Sequence, residues 1–417
     1  MQEKGMKELI KYIKKLIIVI DILLFTLFLT SCTGGRELNT LGIVVATGVD
    51  IEDGEIIVTN EVINPASGSQ SKNATTQEST LFVQGTGITV EDAIINTTLT
   101  FDRHLYYPHS HFIVFGEEFA KGGIGPYIDI LSRSNEQREK AYLLVAEGQK
   151  AYDVMGINSG IAQSPGKYIY DIIEQDSYNG ETRTITINEF FRYYFRPHED
   201  YILGILKSVK KPQINKSKPE STIDVLCVQG GAAFKDDKLI GYYTGEEMIG
   251  FNFIVNELTS TNIQFETPDF LVDKTRLIAE RKKQSSVRIF RSKTKKYVKL
   301  IDGKLHLFID IEFRGSLREI TQGLDINKPN ILEEMEKACA QKSKSMVEKV
   351  LIKAQKEFMA DTFGIGELVH QKYPELWKEI KDEWSEVFTE LDYTINVKAR
   401  INDTGFTNTP PNIRKGK

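Results

Sequence analysis

The chain has 417 residues, 41% apolar and 27% charged, a balance that supports packed cores and excludes a largely disordered molecule. Its formal charge is −5, and −7 once the first 31 residues are set aside, because these hold five lysines against Glu3, Glu8 and Asp21. Such a balance argues against nucleic acid as the main partner, since phosphate binding needs a basic surface.

Lys4, Lys7, Lys11, Lys14 and Lys15 open the chain, Leu16 to Phe28 is an apolar stretch of 13 residues, and Leu29-Thr30-Ser31-Cys32 follows. This is the layout of a secretory signal peptide. A helix of that stretch is roughly 20 Å long, short of the ~30 Å hydrocarbon core of a bilayer, and Asp21 interrupts it. The last four residues match a lipobox: apolar, small, small, then the cysteine whose thiol receives diacylglycerol. Residues 1–31 are therefore expected to be removed and Cys32 to carry the lipid. Two acyl chains, at ~0.8 kcal/mol per buried methylene, hold a protein on a membrane. The other cysteines, Cys227 and Cys339, have no framework spacing and read as buried or free thiols.

Leu41 to Val49 and Glu55 to Ile63 read as strands joined by a turn at Glu52-Asp53-Gly54. Ala66 to Ser79 is polar and reads as an exposed loop. Thr89 with Asp92 has the spacing of a capping box that opens a helix through about Leu99. A buried strand at Phe112 to Phe115, a helix from Pro126 to Lys140 and a strand from Tyr142 to Ala146 follow. Asn188 is placed to cap a helix carrying Phe190, Phe191 and Tyr194. The lysine- and proline-containing stretch 207–222 reads as a linker.

Beyond it, Val225 to Phe234 and Lys238 to Thr244 suggest a hairpin turning at Asp236-Asp237, with a short helix from Gly245. Lys304 to Arg314 alternates with period two, the mark of a half-buried strand. Pro329-Asn330 opens the longest helical pattern, Ile331 to about Phe363. Further helix at Glu367 to Tyr373 and Pro374 to Trp384 and a strand from Tyr393 to Ile401 complete the body. The reading is a multi-domain α+β protein of mixed sheets flanked by helices, with a long helix in the C-terminal region. Its expected parts are an N-terminal domain at 32–206, a C-terminal region at 223–405 divisible into 223–300 and 301–405, and a disordered tail at 406–417.

Chemistry is sparse. His109 and His111 share a strand face with His104 nearby, but no third ligand has a defined spacing, and structural histidines are the commoner reading. Gly85-Thr86-Gly87 lacks the third glycine of a dinucleotide loop. There is no Gly-x-Ser-x-Gly, no His-Glu-x-x-His and no phosphate loop, so no catalytic residue, cofactor site or metal site is assigned. Between Lys274 and Lys299 stand eleven Lys or Arg against Glu280 alone. Such a run suits anionic headgroups or, more commonly, solvated strand faces.

Four blocks resemble the Ger(x)C spore-germination lipoproteins across nearly the whole body. These are Arg36 to Asn39 with Leu41 to Asp50; His109 with Phe112 to Ala120; Ala232 to Phe234, Lys238 to Gly241 and Gly245 to Glu247; and Ala354-Gln355, Asp361 to Gly366, Tyr373-Pro374, Trp377, Trp384 and Val397. The chain departs from the family where Cys32-Thr33-Gly34-Gly35 replaces the usual Cys-Trp-Asp. The resemblance implies a non-catalytic lipoprotein subunit on the outer face of the spore inner membrane. It implies as partners two integral-membrane subunits of A and B type in a receptor for small nutrients. The alternative is a solute-binding lipoprotein that captures a nutrient itself, which needs a concave site between domains.

Overall fold

A computed structural model describes residues 2–29, 37, 40–64, 79–133, 137–175, 178–196, 200–212, 222–271, 283–320, 324 and 330–404. Cys32, the polar loop but for Ser79, and the tail from 405 lie outside them. The chain divides into a unit of residues 1–42 with 103–105 and a unit of 43–102 with 106–417. In the first, α1 (Gln2–Leu29) takes in the whole apolar stretch. Among the described residues no helix is long and apolar enough to cross a membrane.

The larger unit begins within β1 (Leu41–Glu52), at Ile43, and β2 (Glu55–Ile63) follows it antiparallel about a two-residue turn. Asp53 and Gly54 both take positive φ there, the conformation that matches strand twist in a tight hairpin. Next come β3 (Thr80–Gly87) and α2 (Val90–Asn96), the latter capped by Thr89 Oγ1, which accepts the Asp92 N–H at 3.1 Å. A Cβ added to Gly85 on β3 would lie 2.1 Å from the Ala93 carbonyl oxygen, so the glycines of the Gly-Thr-Gly run let α2 lie against the strand. After β4 (His104–Tyr106) come β5 (Phe112–Gly116), α3 (Glu117–Gly122), α4 (Gly125–Arg133) and β6 (Tyr142–Ala146).

The order continues with α5 (Ala151–Met155), α6 (Pro165–Ile173), β7 (Ile185–Thr186), α7 (Ile187–Tyr194), β8 (Tyr201–Pro212), β9 (Thr222–Lys235) and β10 (Lys238–Tyr243). One sheet runs in the order β10-β9-β8-β6-β5-β1-β2-β3. Its centre, β1, β5, β6 and β8, is parallel, and antiparallel hairpins extend both edges. Every residue of β5 is buried, as parallel strands covered on both faces require. Ile113 and Phe115 join Tyr127 and Phe190 on one face, while Phe112 and Val114 join Val154 and Ile169 on the other.

From β10 the chain enters α8 (Gly245–Ile254), buried at nine of its ten positions, then β11 (Thr261–Glu266), β12 (Gln284–Ile301) and β13 (Lys304–Glu319). After α9 (Ile331–Lys353) and a π-turn at Ala354–Phe358 come α10 (Ile365–Lys372), α11 (Pro374–Ile380), α12 (Trp384–Thr389) and β14 (Asp392–Asp403). The second sheet runs β11-β12-β13-β14, with β13 and β14 parallel. Its buried side chains Val298, Leu307, Ile309 and Ile395 share a core with α8 and with Met335, Cys339 and Val350 of α9.

Four boundaries differ from the sequence reading. The helix expected at 126–140 ends at Arg133. Thr186, not Asn188, caps α7: its Oγ1 accepts the Glu189 N–H, and the Glu189 carboxylate accepts the Thr186 N–H at 2.9 Å. The long helix stops at Phe358 because Met359 takes φ +49°. Within the expected linker, Lys207 to Pro212 is strand, paired with Thr222 to Cys227.

Candidate functional site

The first two family-like blocks meet in one knot. Asp50 ends the apolar run of β1 and is 1% exposed. Its Oδ1 accepts the Ala151 N–H at 2.7 Å and its Oδ2 the Tyr152 N–H at 3.2 Å, capping α5 from another element. Burial pushes its carboxyl up to about 6, and the two N–H donors oppose this only in part. Gly116 ends β5 alongside, where an added Cβ would sit 2.0 Å from Asp50 Oδ1. The aspartate and the glycine are therefore one structural device.

The last two blocks meet around α8 and the end of α9. Thr244 and Glu247 form a complete capping box at the start of α8. Glu247 also accepts from Lys353 Nζ at 3.0 Å, and Lys353 donates to the Tyr242 carbonyl at 2.7 Å. Gly250 lets α8 touch the α9 backbone, since a Cβ there would lie 2.4 Å from the Met346 carbonyl oxygen. Asp361, 2% exposed, sits in a cage of donors: Phe363 and Ile365 N–H to Oδ1 at 3.2 and 3.1 Å, Gly366 N–H and Trp384 Nε1 to Oδ2 at 2.7 and 3.1 Å. Burial still raises its carboxyl above the ordinary range. Its role is to fold the segment between the π-turn and α10, as Asx-type bonding does in turns.

That folded segment walls a cavity of about 240 Å³ between the two sheets' domains. Arg183, Tyr193, Asp200, Glu257, Lys296 and Glu367 are among its lining residues. Arg183 donates to the Tyr193 hydroxyl at 2.6 Å, and Arg183 and Arg196 both lie over the Tyr193 ring. Lys296 donates to the Phe363 carbonyl. Asp200 is pushed up to about 7 by burial and by Asp361, against the pull of Lys235. The cavity thus presents fixed cations, two glutamates and a carboxyl that holds its proton to near neutrality, an arrangement suited to a small polar molecule.

Cys32 lies outside the described residues. Of the other thiols, Cys227 is half-buried and free, and burial pushes the Cys339 thiol up to about 12, which leaves it unreactive. His111 lies tilted against the Tyr170 ring at 4.5 Å and faces Arg138 at 3.4 Å, and burial with that cation disfavours its protonation. Among the described residues no three His, Cys, Asp or Glu side chains are grouped to hold a metal. Sequence reasoning missed Asp50, Asp200, Asp361 and the Arg183–Tyr193 pair. The first and third stood in the motif blocks, but nothing along the chain marks an aspartate as buried.

Comparison with known proteins follows the same two blocks. Residues 34–208 match the spore germination protein N-terminal domain and residues 229–405 the spore germination B3/GerAC-like C-terminal domain. The chain belongs to the Ger(x)C family. Spore germination protein KC of Bacillus subtilis (strain 168) is 24% identical over 95% of this chain and 98% of its own length. Spore germination protein B3 of the same organism is 21% identical over 91% and 95%. The crystal structure of the GerBC protein superposes with a TM-score of 0.53 at 19% identity, covering 86% of this chain and 97% of that one, which shows a common fold. In this Ger(x)C protein the glycines and aspartates of the shared blocks cap helices and admit close packing.

Proposed function

We propose that this chain is a non-catalytic subunit of a spore nutrient germinant receptor. In this reading it is held by diacylglycerol on Cys32 at the outer face of the spore inner membrane, beside integral-membrane subunits of A and B type. What carries the reading is the match to germination proteins along both halves of the chain, residues 34–208 and 229–405. The lipobox pattern Leu29-Thr30-Ser31-Cys32 supports the anchor, which concentrates the body beside its partners and supplies effective concentration without a strong contact. The buried carboxyls support a structural rather than catalytic body, because Asp50 and Asp361 spend their oxygens on backbone N–H groups.

Mass spectrometry and membrane fractionation of the native protein beside a Cys32→Ala form test the anchor. A diacylglyceryl adduct on Cys32 and release or retained leader in the variant are expected; a native protein that is soluble and unmodified overturns it. Deleting the gene from a spore former without a paralogue should abolish the response to a subset of germinants and leave spores otherwise intact.

The cavity of about 240 Å³ favours a second reading, direct capture of a small polar nutrient. Titration calorimetry with amino acids, sugars and nucleosides separates the two: heat that disappears in Arg183→Ala supports capture, and none with any of them removes it.

A further inference from the structure

The outer face of the β11–β14 sheet carries chemistry that the receptor reading leaves unused. Side chains alternate along these strands. The apolar set, including Val298, Leu307, Ile309 and Ile395, is buried in the core shared with α9. The opposite set is polar and open: Arg291, Lys293, Lys295 and Lys299 on β12, and Lys398 and Arg400 on β14, are all exposed. Among the described residues none of these six has a carboxylate within ion-pair distance. Asp310, Glu312 and Asp392, with Glu266 on β11, are acids of the same face; Asp310 stands across from Lys295 and Glu312 between Lys293 and Lys398 in the ladder, and Asp310 is held by Asn396 at 2.8 Å. A chain whose net charge is −5 therefore carries more cations than acids on this one sheet face.

Two further features sit on this surface. Tyr297 and Phe308 stack at 5.1 Å, with Lys299 Nζ 5.5 and 5.3 Å from their ring centres and Lys295 5.3 Å from Tyr297. The β12–β13 hairpin then closes at Asp302-Gly303, both at positive φ, with Leu300 and Ile301 beside the turn 43% and 44% exposed. Lys293, Lys295 and Lys398 border, together with Asp310 and Glu312, a shallow groove of about 410 Å³ on the same face.

We propose that this face docks on an anionic lipid bilayer, with the Leu300–Ile301 tip entering the headgroup layer and the lysines lying over lipid phosphates. The argument is charge complementarity joined to shape of the apolar part. Lysine clusters are drawn to anionic leaflets. Tyrosine with a lysine stem alongside suits the zone where one end is apolar and the other wet. An acidic protein surface would answer the charges but gives no reason for two aliphatic side chains in water at a hairpin end. The proposal rests on the membrane placement of the protein, and its test separates the two.

The full chain with Ile301→Cys, in a Cys227→Ser background, is labelled with an environment-sensitive fluorophore and mixed with vesicles of neutral lipid or with about one-third phosphatidylglycerol. Flotation reports attachment by any route, while quenching by lipids spin-labelled at the headgroup reports the tip. Quenching is expected with phosphatidylglycerol and not with neutral lipid. Salt at about 0.5 M, with its short Debye length, should suppress it. Lys293→Glu, Lys295→Glu and Lys299→Glu together should cut the apparent tip affinity on the order of 100-fold, about fivefold for each positive charge lost. The Lys→Gln set should give a loss of the same sign.

Attached protein whose tip stays in water overturns the docking and leaves the anchor standing. Tip quenching without dependence on lipid charge or on the three lysines overturns it as well. A tip shielded only when the integral-membrane subunits are present assigns the face to protein instead and equally removes the proposal. Protein that carries no lipid on Cys32 by mass spectrometry yet shows lysine-dependent quenching sinks the anchor and keeps the docking.

Discussion

At the residue scale the molecule turns on buried aspartates. Asp50 keeps its proton up to about pH 6 in the folded state against an ordinary 3.8, so the native form binds that proton more tightly than the unfolded chain. Its contribution is neutral below pH 4 and becomes unfavourable as pH rises through 6, about 3 kcal/mol for the full shift. Asp200, raised to about 7, extends the decline in the same direction. Urea midpoints measured from pH 4 to 7 should therefore fall with pH, and Asp50→Asn should flatten the slope; a midpoint that climbs across this range contradicts the assignment. Gly116→Ala puts a methyl group against Asp50 Oδ1 and should cost about 1–3 kcal/mol. Gly122, with open space around it, offers the control: Gly122→Ala should leave the midpoint within about 0.5 kcal/mol.

At the scale of elements, what was legible is what local chemistry decides. Hairpins with Asp-Gly or Asp-Asp turns, the alternating strand from Lys304 and the three-to-four spacing of α9 follow from steric rules and periodicity. Ends were less legible because competing caps lie close together. Thr186 and Asn188 are both good N-caps in isolation. Thr186 is chosen because β7 ends there on the sheet and Glu189 can reach back. Thr186→Ala should lower stability by about 1 kcal/mol and Asn188→Ala by a few tenths; thermal unfolding of the two variants checks the order, and the reverse order refutes this cap. The end of α9 was illegible for a related reason. The apolar spacing continues past Phe358, but Met359 turns left-handed so that Asp361 can gather its four donors.

At the scale of the larger unit, the two sheets are coupled through α8 and the end of α9. Phe358 lies against Gly241 of β10 and packs edge-on to Tyr243 at 4.9 Å, with Lys353 over both rings. Phe358→Ala should then cost about 3–5 kcal/mol, the usual range for a buried aromatic. The loss should appear as one cooperative transition moved to lower temperature in calorimetry. A transition left where it was would mean that the sheets are held together elsewhere, and two separated transitions would mean that Phe358 carries the coupling itself.

By itself the sequence determined the α+β class, most strands and the family, because each is written in neighbouring residues: turn chemistry, periodicity, or a short motif read in order. Tertiary structure alone decided which aspartates lose water, which glycines stand against another backbone, and that Arg183 and Lys296, 113 positions apart in number, wall the same cavity. It also decided that the basic run of β12 shares a sheet face with Lys398 and Arg400 of β14 across β13, since a parallel ladder joins β13 to a strand that follows it by about seventy residues. Desolvation, close approach and summed charge depend on what the fold brings near, and no local pattern records that.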